Sequence, residues 1–309
     1  LPTKKINSLI FTADSFGDYS NSNVYETSDG NIKNIFCSSS QNLGRLYRNI
    51  TLLLGMKPYQ HEYKVMGLAP YANTVYAKKV KKIFEQYLYG FKKDWLFRKK
   101  PRDNYFEFKS QLEGIRFDNI AGGLQLYLEE RLLEWFEYFL KKDKKHDSVI
   151  FSGGLSMNVK ANLKIEQLCK KYNKKFYCAP SGDDYSNAIS AAYATYLDVE
   201  RKSYLSDLSK VRLKSLNHGY HFSMTDREKI TSWALKKNCN IEKVNFKKAA
   251  NYLRNGKIFA LCHGKAEFGA RALGYRSIIA DPSNFETIKK INKAIKMRDF
   301  WMPFAPAIL

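Results

Sequence analysis

Residues 148–172, SVIFSGGLSMNVKANLKIEQLCKKY, leave few architectures open. A short apolar run rich in β-formers reads as a buried strand over 148–151. Ser152-Gly153-Gly154 then makes a tight turn, and a helix runs from Leu155 to Tyr172. A strand that turns on glycines straight into a helix needs neighbouring strands to complete a sheet, which points to an α/β fold.

The rest of the chain repeats that grammar. INSLIFTA (6–13) is a strand ending at Asp14-Ser15-Phe16-Gly17-Asp18, and SNVYETS is a second strand, so an acidic turn joins the two. Leu43, Leu46, Ile50 and Leu54 recur at helical spacing before Gly55, and Ile120, Leu124, Leu128, Leu132, Phe136 and Leu140 mark one long helix over 119–142. Residues 90–118 are charged and aromatic without clear period and read as an insertion or a loop-rich cover. KFYCAP is a strand that leads into Ser181-Gly182-Asp183-Asp184 and the small-residue helix NAISAAYATY. Residues 198–245 are weakly periodic and read as a domain join. Beyond them FKKAANYLRNGK is a helix closed by Gly256, and IFALC is a strand.

With 309 residues, 44% of them hydrophobic, the chain has material for a sizeable core. Its formal charge of +22 comes from lysines scattered through many segments, such as FKKDWLFRKK and LKKDKKHDS, as expected of solvated helix faces. Nucleic acid is therefore a disfavoured partner, and anionic small molecules remain plausible ones. Five cysteines without a CxxC pair fit a reducing cytoplasm, and no apolar run is long enough to span a bilayer. Leu1 at the start and the apolar phrase PFAPAIL at the end read as a fragment cut at both ends.

Four groups carry chemistry. Asp14 and Asp184 each follow an apolar strand, where a carboxylate serves either as a ligand to a divalent cation beside phosphate or as a turn residue bonding its own backbone. Gly153 and Gly154 free backbone N–H groups for a phosphate at a helix start, with Asn158 directed to the same cleft. Plain tight packing is the alternative. HEYKVMGLAPYA (61–72) sets Glu62 and Lys64 together as an acid/base group and a cation, or as a solvated charge cluster. CHGKAEFGARALGYRSIIADP (262–282) places Lys265, Arg271 and Arg276 among glycines, and guanidinium forks match phosphate or carboxylate oxygens bidentately.

In order and spacing, HEYKVMGLAPYA, FSGGLSMNVKAN, PSGDDYSNAISAAY, EFGARALGYRSIIADP and RDFWMPFAPAIL resemble the O-carbamoyltransferases of the NodU/CmcH type, over nearly the whole chain. The resemblance implies an ASKHA (actin-like ATPase) domain over 1–200, a connecting region over 201–245 and the start of a YrdC-like α/β domain over 246–309. It implies that carbamoyl phosphate and ATP give a carbamoyl adenylate, whose carbamoyl group passes to a hydroxyl of a small-molecule, sugar or secondary-metabolite acceptor. Asp14 falls on the family's TxDGxG turn and Asp184 on its PAAGDAGNAIGAA segment, so both inherit roles as ligands to Fe2+ or to Mg2+/Mn2+. The family's histidine ligands are expected upstream of Leu1. Ser15, Tyr185 and Ser186 stand where the family has glycine or other small residues.

Gly153, Gly154 and Asn158 match the family's nucleotide-side loop, and Glu62 and Lys64 match its EYKVMG motif as catalytic candidates. Lys265, Arg271 and Arg276 are expected on carbamoyl phosphate or the adenylate, with Arg298 of the RDFW phrase beside them. Lys265 and Ala270 replace the family's Arg and Pro. A tRNA threonylcarbamoyl-adenosine enzyme would share both modules, and a basic nucleic-acid-binding protein would share the charge. EYKVMGLAPY and EFGARALGYRS favour the small-molecule branch.

Overall fold

The computed structural model describes residues 7–17, 19–28, 31–178, 181–199, 217–269 and 272–305. The chain divides into two compact units, Leu1–Arg212 and Leu213–Leu309. In the first, β1 (Ser8–Gly17), β2 (Ser20–Ser28) and β3 (Asn31–Ser38) form an antiparallel meander. Helices α1 (Leu43–Leu53), α2 (Glu62–Leu68) and α3 (Thr74–Glu85) follow, then a short antiparallel pair, β4 (Leu88–Phe91) and β5 (Trp95–Phe97). After α4 (Asn104–Leu112) and α5 (Phe117–Leu140) the chain returns to the sheet as β6 (Ser148–Ser152), α6 (Val159–Lys171), β7 (Lys175–Cys178) and α7 (Asn187–Val199). The strand order is β3-β2-β1-β6-β7, and β6 runs parallel to both β1 and β7. The strand–turn–helix read over 148–172 thus becomes a β6–α6–β7 crossover within a mixed α/β sheet.

Alternation along β1 buries Leu9, Phe11 and Ala13. Phe11 stacks on Phe136 of α5 with ring centroids 3.9 Å apart and meets Trp135 edge-on at 5.0 Å, while Phe151 of β6 reaches Phe136 at 5.1 Å. Large aromatic rings from one helix and two strands therefore form the heart of this core.

Three local expectations change. The acidic turn after residue 13 is instead a continuation of β1 to Gly17, with the register shifting between Ala13 and Gly17, so Asp14 sits in a bulge. The stretch 90–118 is structured. Phe91 and Trp95 pack edge-on across β4–β5 at 5.0 Å, the Trp95 indole donates to Ser22 Oγ at 2.9 Å, and Asp103 caps α4 by accepting from Tyr105 N and Phe106 N. The helix expected from Leu155 opens as a 3-10 turn over Gly154–Met157, because Asn158 leaves helical geometry to cap α6.

The second unit contains β8 (Asn217–His221), α8 (Met224–Lys236), α9 (Phe246–Arg254), β9 (Phe259–Cys262), β10 (Lys265–Glu267), β11 (Arg276–Ile279) and α10 (Phe285–Lys290). β8 pairs with β10 and β9 with β11, both antiparallel. Residues 217–236, read from sequence as part of a connecting region, carry a strand and a helix, and that strand pairs inside this unit. Ser223 and Asp226 make a capping box at the start of α8. Among the described residues no helix is long and apolar enough to cross a membrane.

Candidate active site

The β1 bulge holds the Asp14 carboxylate by two main-chain donors. Ser15 N donates to Oδ1 at 2.8 Å and Gly154 N to Oδ2 at 3.1 Å, which leaves each oxygen acceptor capacity for a further partner. This approach requires a glycine at 153, where φ is +91° and a Cβ would lie 2.3 Å from the Ala13 carbonyl oxygen. Gly153 N in turn donates to Gly182 O at 2.8 Å, so the Asp14 carboxylate and this backbone bond tie together the bulge, the β6–α6 turn and the segment carrying Asp184. The start of α1 closes the same corner: a Cβ on Gly44 would come within 2.8 Å of Ser15 Cα. Buried Gln41 bridges the two by donating to Asp14 O at 3.4 Å and accepting from Gly44 N at 3.2 Å.

In front of this corner lies a cleft of about 820 Å³. Asp14, from the bulge within β1, and Asp184, from the 3-10 turn that precedes α7, both line it. α1 contributes Asn42, Arg45, Arg48 and Asn49 at or near its start, Tyr59 comes from the loop before α2, and the segment 97–104 supplies Phe97, Lys100, Arg102 and Asn104. Spacing singled out none of these last groups: Lys100 ends the run FKKDWLFRKK read as solvated surface, and Arg102 lies in the stretch 90–118 read as an insertion or a loop-rich cover.

The other candidates lie elsewhere. Gly153 and Gly154 stand behind Asp14 and do not line the cleft. Asn158 is buried, accepts from Ala161 N as the α6 cap, and exchanges hydrogen bonds with Gln125 at 2.9 and 3.0 Å. Glu62 and Lys64 sit half-buried on α2, outside the cleft lining. The Glu62 carboxylate accepts from Tyr59 N at 2.7 Å and so fixes a residue that does line it. On the buried side of α1, the Tyr47 hydroxyl has no hydrogen-bond partner among the described residues. Burial, with the charges of Glu62 and Glu129, pushes its pKa far up, so it stays protonated.

In the second unit Arg276 acts as a clamp. Its Nη1 donates to His263 O and Tyr275 O, both at 3.0 Å, and its Nη2 to Tyr220 O at 2.9 Å and Gly264 O at 3.1 Å, with the guanidinium carbon 5.3 Å from the Phe222 ring centre. Glu267, which no sequence signal marked, accepts from Leu273 N at 3.1 Å and Arg276 N at 3.2 Å. Those main-chain donors, Leu273 first, hold its carboxyl below the usual range. Lys265 is exposed on β10, and Arg298 donates to Asn292 Oδ1 at 2.7 Å while covering Phe304. Arg271 lies outside the described residues.

Residues 2–193 match the carbamoyltransferase N-terminus family and residues 250–309 the carbamoyltransferase C-terminus family. The chain belongs to the carbamoyltransferase family. An uncharacterised protein of Methanocaldococcus jannaschii is 32% identical over 283 residues, covering 86% of this chain and 51% of that protein. The nodulation protein NolNO of Sinorhizobium fredii is 27% identical over 315 residues, covering 98% of this chain and 44% of its own length. The 3'-hydroxymethylcephem-O-carbamoyltransferase of Streptomyces clavuligerus is 24% identical over 249 residues, covering 79% and 43%. The chain thus spans about half the length of the curated relatives it matches.

Within this family frame the donor set can be tested for a cation. Two carboxylates with spare acceptor capacity suit a hard divalent ion that keeps water and phosphate oxygens for its remaining positions. Among the described residues no group of three or more His, Cys, Asp or Glu side chains gathers in one place, and no histidine lines the cleft. The residues present therefore fit a divalent cation by supplying two oxygen ligands.

Proposed function

We propose that the whole protein is an ATP- and metal-dependent O-carbamoyltransferase that makes a carbamoyl adenylate from carbamoyl phosphate and passes its carbamoyl group to a hydroxyl of a small-molecule, sugar or secondary-metabolite acceptor. In this reading residues 1–200 belong to an ASKHA-like transfer domain and residues 246–309 to a YrdC-like domain that forms the adenylate. The observation that carries it is the joint presence of Asp14 and Asp184 in one cleft, with Asp14 held by Gly154 N at the mouth of a parallel β–turn–helix unit. An antiparallel meander continued by parallel strands, with one carboxylate in the β1 bulge and one in the turn after β7, supports the ASKHA-like assignment.

In the transfer step the acceptor oxygen attacks the carbamoyl carbon, the new C–O bond forms, the bond from that carbon to the AMP phosphate oxygen breaks to release AMP, and the hydroxyl proton passes to solvent. A divalent cation held by Asp14 and Asp184 would supply Lewis acidity toward phosphate oxygens. Gly153 and Gly154 keep the nucleotide-side backbone close to Asp14, and Gln41 fixes the Asp14 main chain. Glu62 acts as a positioning residue through Tyr59. Asn158 supports the loop by capping α6. In the second unit Lys265 and Arg271 contact the carbamoyl phosphate or adenylate, with Arg276 holding the main chain of His263, Gly264 and Tyr275, and Arg298 is a further candidate.

The test is Asp184→Asn in the full-length protein, followed by mass spectrometry of the carbamoylated product and by pyrophosphate exchange for the adenylate. Transfer should fall by at least about a hundredfold while exchange persists. Unchanged transfer would remove Asp184 from the site.

A further inference from the structure

The cleft in front of Asp14 and Asp184 is electrically lopsided. Arg45, Arg48, Lys100 and Arg102 line it against the carboxylates of Asp14, Asp103 and Asp184. Asp103 is engaged as the α4 cap, accepting from Tyr105 N at 2.7 Å and Phe106 N at 3.0 Å. Elsewhere Lys81, Lys99, Arg116, Arg131, Lys164 and Lys174 pair with carboxylates, yet among the described residues none of the four cleft cations does so. Three are instead aimed by aromatic rings: Arg45 lies 4.8 Å from the Phe16 centroid, Arg48 5.2 Å from that of Tyr59, and Lys100 5.2 Å from that of Phe97. A ring orients a cation without cancelling its charge.

The scaffold holds this array in place. Asn42 and Asn104, at the starts of α1 and α4, exchange side-chain hydrogen bonds at 3.2 and 3.3 Å, so the positive ends of two helix dipoles meet at the cleft. Lys99 Nζ pairs with Glu107 at 3.1 Å and Arg98 N donates to Tyr87 O at 2.8 Å, which ties the basic segment to α4 and β4. Tyr59 adopts φ +65°, an unfavourable conformation for a residue with a Cβ, and is held there by Glu62 and by Arg48, which donates to its hydroxyl. Tyr59 is 73% exposed and lines the cleft.

We infer that this cleft receives a hydroxyl-bearing anion, a carboxylated or phosphorylated sugar-sized acceptor, whose charge is held by Arg45, Arg48, Lys100 and Arg102, whose ring rests on Tyr59, and whose hydroxyl faces Asp14 and Asp184. This rests on the carbamoyl-transfer reading for the fate of the hydroxyl. The charge preference stands on the cleft alone. Nucleotide phosphates share this chemistry, but the Gly153–Gly154 turn assigned to the nucleotide lies behind Asp14 and outside the lining that carries the cations.

The experiment is calorimetric titration of the full-length protein with glucuronate, glucose 6-phosphate, glucose and glucosamine, and separately with ATP, repeated on a Lys100→Gln/Arg102→Gln double variant. The two anionic probes should bind about tenfold or more tightly than glucose, and the double variant should erase most of that preference while leaving ATP binding and pyrophosphate exchange unchanged. Equal binding of glucose, a preference for glucosamine, or an equal loss of ATP affinity in the variant would overturn the inference, the last by assigning the cations to the nucleotide. Anion-selective binding without a carbamoylated product from any probe would retain the charge assignment and count against the transfer reading alone.

Discussion

Gly153 is where one side-chain atom would disturb the most. A Cβ there meets the Ala13 carbonyl in the central strand, and φ +91° adds strain for any L side chain. Gly153→Ala should therefore cost about 3 kcal/mol in denaturant unfolding and loosen the Asp14–Gly154 contact. A loss within experimental error would show that β1 and the β6–α6 turn separate easily. Arg276 offers a different test, because its worth lies in four carbonyls reached by one planar group. Lysine offers a single nitrogen and no fork, so Arg276→Lys should speed amide exchange over 263–276 by about tenfold at preserved charge. Unchanged protection would leave a phosphate-contacting role as the reason for an arginine there. The residue type was legible in the Gly/Arg pattern, but the carbonyl clamp was not, since it depends on Tyr220, distant in sequence.

The β6–α6–β7 crossover is pinned at its far end by Asp143, His146 and Lys174. Lys174 Nζ and His146 Nδ1 lie 2.6 and 2.7 Å from the two Asp143 oxygens, and the three side chains are at most 8% exposed. Burial alone would raise the Asp143 pKa, but the hydrogen bonds from Lys174 and His146 outweigh it and hold the carboxyl below its ordinary value. A depressed native pKa means that this stabilisation is present in full above the ordinary value of 3.8 and is lost as the pH falls through the lower native value. Asp143→Ala should cost roughly 3 kcal/mol near neutrality, with the difference from the parent shrinking as the pH falls below 3.8 and through the depressed native value. A pH-independent difference in urea midpoints would place the loss in packing instead. Helical and strand periods made β6, α5 and α6 readable, whereas β4, β5 and α4 escaped because an indole–hydroxyl bond and an Asp cap leave no period.

A formal charge of +22 repels itself across the whole chain, while the pairs inside the crossover are too buried to be screened strongly. Raising salt from about 0.02 to 0.3 M should therefore lift Tm by a few degrees, and a fall would mean that exposed ion pairs dominate. Periodicity and turn chemistry determined the alternating strands and helices and the ordered motifs of the carbamoyltransferase family, because these depend on neighbours a few residues apart. Asp14 and Asp184 were legible as strand-end carboxylates, though not as lining one cleft with Arg45, Arg48, Lys100 and Arg102. That meeting belongs to the tertiary structure alone. It follows from glycines that let β1, the β6–α6 turn and α1 touch, and from an Asn42–Asn104 bond spanning 62 residues, contacts that carry no trace in local sequence.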